Sequence, residues 1–593
     1  MRWQGIRKAT GFAPIAVPTA LAEHGLPICN ELRCIQGEAA GDGVYLRELS
    51  HRIETFMKIK DSRMTPSDLV ARSLLGAACL VFSACTTLGP DFETPQADLS
   101  ETWDEQSAAL SAGHEAEKWW AAFSDPVLDK LIEMSYQQNL PLQVAGLRIF
   151  EARAQLGIAI GQQYPQQQQV NGALTRVGLS ENTPNFNSAF TDDVYTQSSI
   201  GLDAAWELDF WGRFRRGVES AGASLGASIA DYDNALVSLT AEVARVYVSL
   251  RTLEERLAIA RDNTVTQRRS HKIADVRFQN GAVSELDPSQ ALSLLKSTQS
   301  TVPLLESQIR QSKNALSILM GMPPNNLHDI LHGEGKIPEP PAQINAGVPA
   351  DLLRRRPDIR SAELQAATQS ALIGVAKSDL YPRFGLVGSI GLLNGNTGSN
   401  SNSDLFKSDS VGYNYGPSAS WQILNYGRLK NQVRVQDARL EALLVNYQNS
   451  VLRAAQEVED GISAYVGARE QSGYLKDSVK AAQRSVDLAL VQYREGAVDY
   501  QRVLDTQQTL LRVQDTYTSV RGDVVRGLIA TYRALGGGWE IRAGQSFVSP
   551  ARQDSMKGRT DWGHLLDSES APVELPAPPP TGMAQPLLNS PDW

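Results

Sequence analysis

Apolar residues fall at Ile229, Tyr232, Leu236, Leu239, Val243, Val246, Leu250, Leu253 and Leu257, in alternating steps of three and four. That is the 3.5-residue period of a helix packed along a coiled-coil seam. Just before it, Val218, Ala221 and Leu225 reach Ile229 through two successive steps of four, a local departure from strict heptads. The pattern predicts one helix over about residues 214 to 280, on the order of 100 Å long at 1.5 Å per residue. A second helical run, over about 288 to 320, begins at Pro288, a residue suited to a first helical turn. Leu510, Val513, Tyr517, Val520 and Val524 repeat the three-and-four spacing later in the chain.

Two nearly identical stretches interrupt these runs: "QNGAVSEL" at Gly281 and "REGAVDYQ" at Gly496, 215 residues apart. A glycine inside a helix costs about 1 kcal/mol relative to alanine. Each Gly-Ala-Val therefore reads as the tip of a helical hairpin, the glycine ending the descending helix in the left-handed conformation. The same 215-residue offset relates Trp206/Trp421, Gly212/Gly427, Arg213/Arg428, Glu242/Glu457, Val243/Val458 and Gly321/Gly536. Upstream the offset becomes 217, matching Gly157/Gly374, Ala159/Ala376, Tyr164/Tyr381 and Pro165/Pro382. The pattern predicts two internal repeats: helical halves that must match in length, and a looped region between them that is free to vary.

That looped region alternates with period two. "SSIGLDAAWEL" puts Ile200, Leu202, Ala204, Trp206 and Leu208 on one face, and "VGYNYGPSASWQI" does the same for Val411, Tyr413, Tyr415, Ala419, Trp421 and Ile423. Partners precede them in "VNGALTRVG" from Val170 and in "FGLVGSIGL" with Phe384, Leu386, Ile390 and Leu392. Polar loops join the partners at 180–194 and in "NGNTGSNSNSDLFKSDS" from Asn394. Two β-hairpins, four strands, each with one apolar and aromatic face, carry the signature of a membrane barrel. A soluble sheet packing that face on a core would read the same way. A barrel needs at least eight strands and no free edge, so four strands must be shared between chains: two copies for eight, three for twelve, four for sixteen. The strand ends at Tyr164, Trp206, Tyr381 and Trp421 all join helices, which puts the helices on one side of the membrane and the loops on the other.

With 21% charged and 42% hydrophobic residues, the 593-residue chain is not grossly disordered, and a net charge of −10 leaves no electrostatic footprint for nucleic acid. "SLLGAACLVFSAC" (73–85) is too short to span a bilayer as a helix. It follows Lys58, Lys60, Arg63 and Arg72 and reads as the apolar core of a secretory signal. "FSAC" resembles a bacterial lipobox in which Cys85 is lipidated, and Thr86 after it fits onward export to the outer membrane; an ordinary signal cleaved nearby is the alternative. Met57 suits as its start, which leaves residues 1–56 as an unassigned extension or a mispredicted start. Cys29, Cys34 and Cys79 precede Cys85, so the mature chain would hold no disulfide.

No catalytic constellation emerges. "HDILH" spaces His328 and His332 like a zinc pair. However, Pro323, Pro324, Gly333 and Gly335 leave room for about two helical turns, aspartate replaces the base glutamate, and no third ligand is near. No cofactor and no enzymatic activity are expected. Without a phosphate-cradling loop, the energy for any transport must come from a partner. "LRRRPDIR" is basic enough to suggest phosphate or lipid binding, but Asp351 just before it and Asp358 within it are expected to pair with the arginines and Pro357 to open a helix.

Taken together, "CTTLGPDFETP", "WWAAFSDPVLDKLI", "VPADLLRRRPDIRSAE" and the junctions "WELDFWGR" and "WQILNYGR" resemble the TolC-like outer-membrane factor family of tripartite efflux systems, in its lipoprotein NodT-type branch. The resemblance covers roughly residues 85 to 539. It implies a mainly α fold with a membrane β part: a homotrimer whose 12-stranded barrel, four strands per chain, continues into a 12-helix periplasmic tunnel. It implies adaptor-docking tips at Gly281, Ala282, Val283, Gly496, Ala497 and Val498. A periplasmic gate would sit at Asp505, with Gln501 where leucine is frequent and Arg502 where some members carry a second aspartate. Three Asp505 carboxylates would repel one another and attract cations, while links to Arg502 or another neighbour would favour closure. Trp206, Gly212, Arg213, Trp421, Gly427 and Arg428 would form the barrel–helix junctions.

The implied function is the outer-membrane exit duct for small toxic compounds, with partners in a periplasmic adaptor (membrane fusion protein), an inner-membrane RND-type transporter and outer-membrane lipid. A duct for type I protein secretion and a non-conducting periplasmic coiled coil are the alternatives. The expected segments are signal peptide 57–84, lipid-anchored segment and first repeat helix 85–163, β-hairpin 164–211, helical hairpin 212–322, connector and start of the second repeat 323–380, β-hairpin 381–426, helical hairpin 427–538 and flexible tail 539–593.

Overall fold

The computed structural model describes residues 87–95, 103, 110–111, 118–180, 182, 194–324, 327, 329–331, 335–341, 344–345, 355–398 and 400–566. In chain order its main elements are α1 Pro126–Gln138, α2 Leu140–Gly161, β1 Gln167–Gly178, β2 Val194–Leu208, α3 Arg213–Gln279, α4 Leu286–Leu319, α5 Pro357–Ser378, β3 Arg383–Gly395, β4 Val411–Ser420, α6 Arg428–Arg494, α7 Tyr500–Ala534 and α8 Pro550–Lys557. The expected long helices form as spaced, and α3 and α6 are of equal length, 67 residues each. Their hairpin partners α4 and α7 have 34 and 35. The heptad positions of α3 are its inner face: Leu236, Val243 and Leu250 are fully buried.

The four strands form one antiparallel sheet in the order β1-β2-β3-β4. Its register aligns the alternating residues across strands: Val170 faces Leu202, Leu202 faces Ile390, and Ile390 faces Tyr413. The shared apolar face is uncovered within the chain, with Val170 73% and Tyr415 82% exposed. The outer edges of β1 and β4 have no partner strand among the described residues. β4 ends at Ser420, so Trp421 and Ile423, expected within the strand, lie beyond it.

The main core sits where the helices converge midway. Trp119 stacks on Tyr532 with ring centroids 5.5 Å apart, and Trp120, Phe123, Leu128, Leu131 and Ile132 pack around it. Asp125 orders this region twice over. One carboxylate oxygen caps α1 by accepting from Val127 N at 2.9 Å, and the other accepts from the Tyr247 hydroxyl at 2.7 Å. Arg356 is buried and structural: it pairs with Asp358 at 2.8 Å and Glu457 at 2.9 Å and donates to the Ala534 carbonyl at 2.6 Å, with Pro357 opening α5 as expected. Asp351, His328 and His332 lie outside the described residues.

The flexible tail expected over 539–593 is corrected for its first part. Residues 539–566 fold back onto α2 and α3: Phe547 meets Tyr232 edge-on at 5.2 Å, Arg542 pairs with Asp233, and Val548, Met556 and Leu566 bury Phe150. The close fit requires Gly146, where an added Cβ would lie 2.3 Å from the Phe547 carbonyl.

Candidate functional site: the hairpin tips and the sheet–helix junction

At the far end of the long helices, Gly281 (φ +70°) and Gly496 (φ +78°) both adopt the left-handed conformation. Each hairpin closes the same way. Ala282 N–H donates to the Arg277 carbonyl at 2.9 Å, and Ala497 N–H donates to the Gln492 carbonyl at 2.8 Å. These bonds satisfy the last helical carbonyls, which is why glycine stands there. Val283 and Val498 follow each glycine, and α7 then starts on Asp499, whose carboxylate accepts from Arg502 N at 3.3 Å.

The two tips of one chain are stitched together by residues that sequence reading did not single out. The Arg277 guanidinium lies over the Tyr493 ring, 4.6 Å from its centroid, and donates to the Tyr493 carbonyl. The Tyr493 hydroxyl donates to Asp287 Oδ2 at 2.9 Å, and Tyr500 packs edge-on against Tyr493 at 5.3 Å. Burial, then the Asp287 carboxylate, push the Tyr493 phenol above its ordinary pKa, so it stays a donor. Ala274, Ala291, Ala489 and Val503 complete this small core. The repeat offset could not reveal it, because the tie joins unlike positions of the two hairpins.

Asp505 is exposed on α7, one turn beyond Gln501. Gln501 Nε2 donates to Asp505 Oδ1 at 2.7 Å, and Gln290 Nε2 donates onward to Gln501 Oε1 at 3.3 Å. The neighbour holding Asp505 is thus Gln501. Arg502 makes no ion pair with it.

At the opposite end, the sheet enters the helices through Gly212 (φ +73°) and Gly427 (φ +81°). Trp206 donates its indole N–H to the Gln163 carbonyl at 3.1 Å, and Trp421 to the Leu380 carbonyl at 3.0 Å. Arg213 reaches Glu207 at 3.4 Å, and Arg428 reaches Gln422 at 3.0 Å. Cys85 lies outside the described residues. Two positions later Thr87 is seated against Gly212, where an added Cβ would meet its Cγ2 at 2.4 Å. From there the N-terminal segment runs along α3 and α5, with Leu88 N donating to the Trp211 carbonyl at 3.2 Å, Arg216 pairing with Asp91 at 2.6 Å and Thr94 donating to Glu363 at 2.6 Å.

Residues 131–322 and 348–537 match the family described as "Outer membrane efflux protein". The chain is 32% identical to the pyoverdine export outer membrane protein OpmQ of Pseudomonas aeruginosa, over 78% of this chain and 96% of that protein. It is 30% identical to Nodulation protein T of Rhizobium leguminosarum bv. viciae, over 78% and 92%. Among solved structures, the outer-membrane channel OprN superposes with a TM-score of 0.70 at 31% identity, over 77% of this chain and all of that one.

Proposed function

Because the chain belongs to the outer membrane efflux protein family, we propose that three copies close its four-stranded sheet into a 12-stranded barrel in the outer membrane. The helices of the two repeats continue it as a 12-helix periplasmic tunnel. The protein is the outer-membrane channel of an efflux pump, the passive exit duct for small compounds. The observation that carries the reading is the sheet itself: two edges unpaired among the described residues, an exposed apolar face, and 67-residue helices leaving from one end only. Exposed edges and an uncovered apolar face are costly in water and are both removed by closure within lipid. No helix among the described residues is long and apolar enough to cross a membrane, which leaves spanning to the strands of 10 to 15 residues.

Thr87 at the Gly212 junction supports a lipid on Cys85 seated at the membrane level of the barrel. The tips at Gly281–Val283 and Gly496–Val498 stand farthest from the sheet, where a periplasmic adaptor would dock and link the duct to an inner-membrane RND-type transporter that supplies the energy. Asp505 is the gate carboxylate, positioned by Gln501. The cargo is expected to be set by the pump. Asp505→Ala is expected to raise single-channel conductance of the purified trimer in planar bilayers; an unchanged conductance removes Asp505 from the gate. Recovery of the protein as a soluble periplasmic monomer, in place of heat-modifiable trimers in the outer-membrane fraction, would sink the duct.

A further inference from the structure

The two sheet–helix junctions share their bonds but not their charges. Each tryptophan donates to the equivalent carbonyl, and each arginine reaches the side chain six residues before it. Around Arg213 the charges balance: Glu207 lies at 3.4 Å and Asp379 at 4.0 Å, while Arg383 holds Asp379 at 2.6 Å and Glu207 at 4.0 Å. This is a closed quartet of two cations and two carboxylates.

Around Arg428 the repeat's equivalent positions carry no carboxylate. The counterpart of Glu207, 215 residues on, is Gln422. The counterparts of Asp379 and Arg383, 217 residues back, are Gln162 and Gln166, and the outer edge of β4 has no partner strand among the described residues. Every acidic position of the first junction is an amide in the second. Accordingly the Arg428 guanidinium makes no ion pair among the described residues and hydrogen-bonds the neutral Gln422.

Arg428 lines a concavity of about 130 Å³ with Asp379, Arg383, Ser420 and Gln422. Asp379 is already held by Arg383, so the concavity keeps one surplus cation. It opens on the polar side of the sheet. Arg383 pairs with Ser420 in register, one step from the Phe384–Ala419 pair of the apolar face, so the two pairs point to opposite faces.

We propose that Arg428 is an anion contact in the duct wall, repeated three times around the barrel–tunnel junction, that receives carboxylate, sulfonate or phosphate groups of passing solutes. The proposal rests on the duct reading above. A fixed cation without a counter-charge raises the local concentration of anions in a narrow pore. The test uses the full-length trimer in planar bilayers under a KCl gradient, with the reversal potential giving the chloride-to-potassium permeability ratio. Arg428→Gln is expected to lower that ratio about fivefold, the scale of one unscreened charge at contact in water. Gln422→Glu keeps Arg428 but supplies the carboxylate of the first junction, and is expected to lower it as far. It also decides the matter should Arg428→Gln fail to assemble. Conducting channels with an unchanged ratio in Gln422→Glu overturn the anion contact and leave the duct standing; a wild-type trimer that never conducts overturns both.

Discussion

Tyr493 does the work of several residues at the tip. Its ring fills the small core, its carbonyl takes Arg277, and its hydroxyl holds Asp287 of the other hairpin. A hydrogen bond to a charged acceptor contributes about 1.5 to 3 kcal/mol. Tyr493→Phe keeps the packing and removes that bond, so it is expected to loosen the tips and raise single-channel conductance. Tyr500→Phe, whose hydroxyl makes no bond in the tie, should leave conductance unchanged; equal effects of the two would show that the Asp287 bond is not part of closure. The raised phenol pKa also gives a pH signature. A tyrosine more basic in the folded state contributes stability that is fully present below its unfolded value of about 10 and is lost above it. Thermal stability of the tip, followed by hydrogen exchange, should therefore hold at neutral pH and fall in alkali.

At the scale of elements, glycines at equivalent turns have different duties. Gly212 and Gly427 share the left-handed backbone, which costs any other residue about 1 to 2 kcal/mol. Only Gly212 is also covered: its Cβ would strike Thr87, whereas the nearest atom to one on Gly427 is Asn431 Nδ2 at 3.9 Å. Gly212→Ala is therefore expected to lower the thermal midpoint well beyond Gly427→Ala, by displacing the N-terminal segment; equal losses would mean that Thr87 is not held there. At the tips the reverse argument applies. A Cβ on Gly281 meets nothing within 4 Å, and one on Gly496 only Arg277 at 3.7 Å. Bulky substitution there is expected to abolish efflux by blocking the adaptor while trimers still assemble. Trimer loss in gels, rather than loss of export alone, would count against a docking role.

For the whole molecule, the docking of residues 539–566 ties the last helix to α2 and α3. Fully burying side chains such as Val548, Met556, Leu566 and Phe150 contributes about 1.5 to 3 kcal/mol each. Deleting residues 543–593 is expected to lower the thermal midpoint of the trimer by several degrees or more, and an unchanged midpoint would show that this contact does not brace the fold. That segment was not legible from the pattern, because its scattered apolar residues, among them Phe547, Val548, Met556, Trp562, Leu565 and Leu566, follow neither a helical nor a strand period. Their role depends on Phe150 and Tyr232, hundreds of residues earlier. The helices, strands and tips were legible, since heptad spacing, period-two alternation and left-handed glycine are local properties that a chain carries wherever it packs. On the membrane-barrel reading, the strand count also carried the expectation of more than one copy. Tertiary structure decided what local patterns cannot encode: that Gln501 rather than Arg502 holds Asp505, that Tyr493 ties to Asp287, and that Arg213 is balanced while Arg428 is not. Each of these depends on which distant side chains the packing of long helices brings within hydrogen-bond reach, and periodicity fixes a residue's face without naming its neighbour.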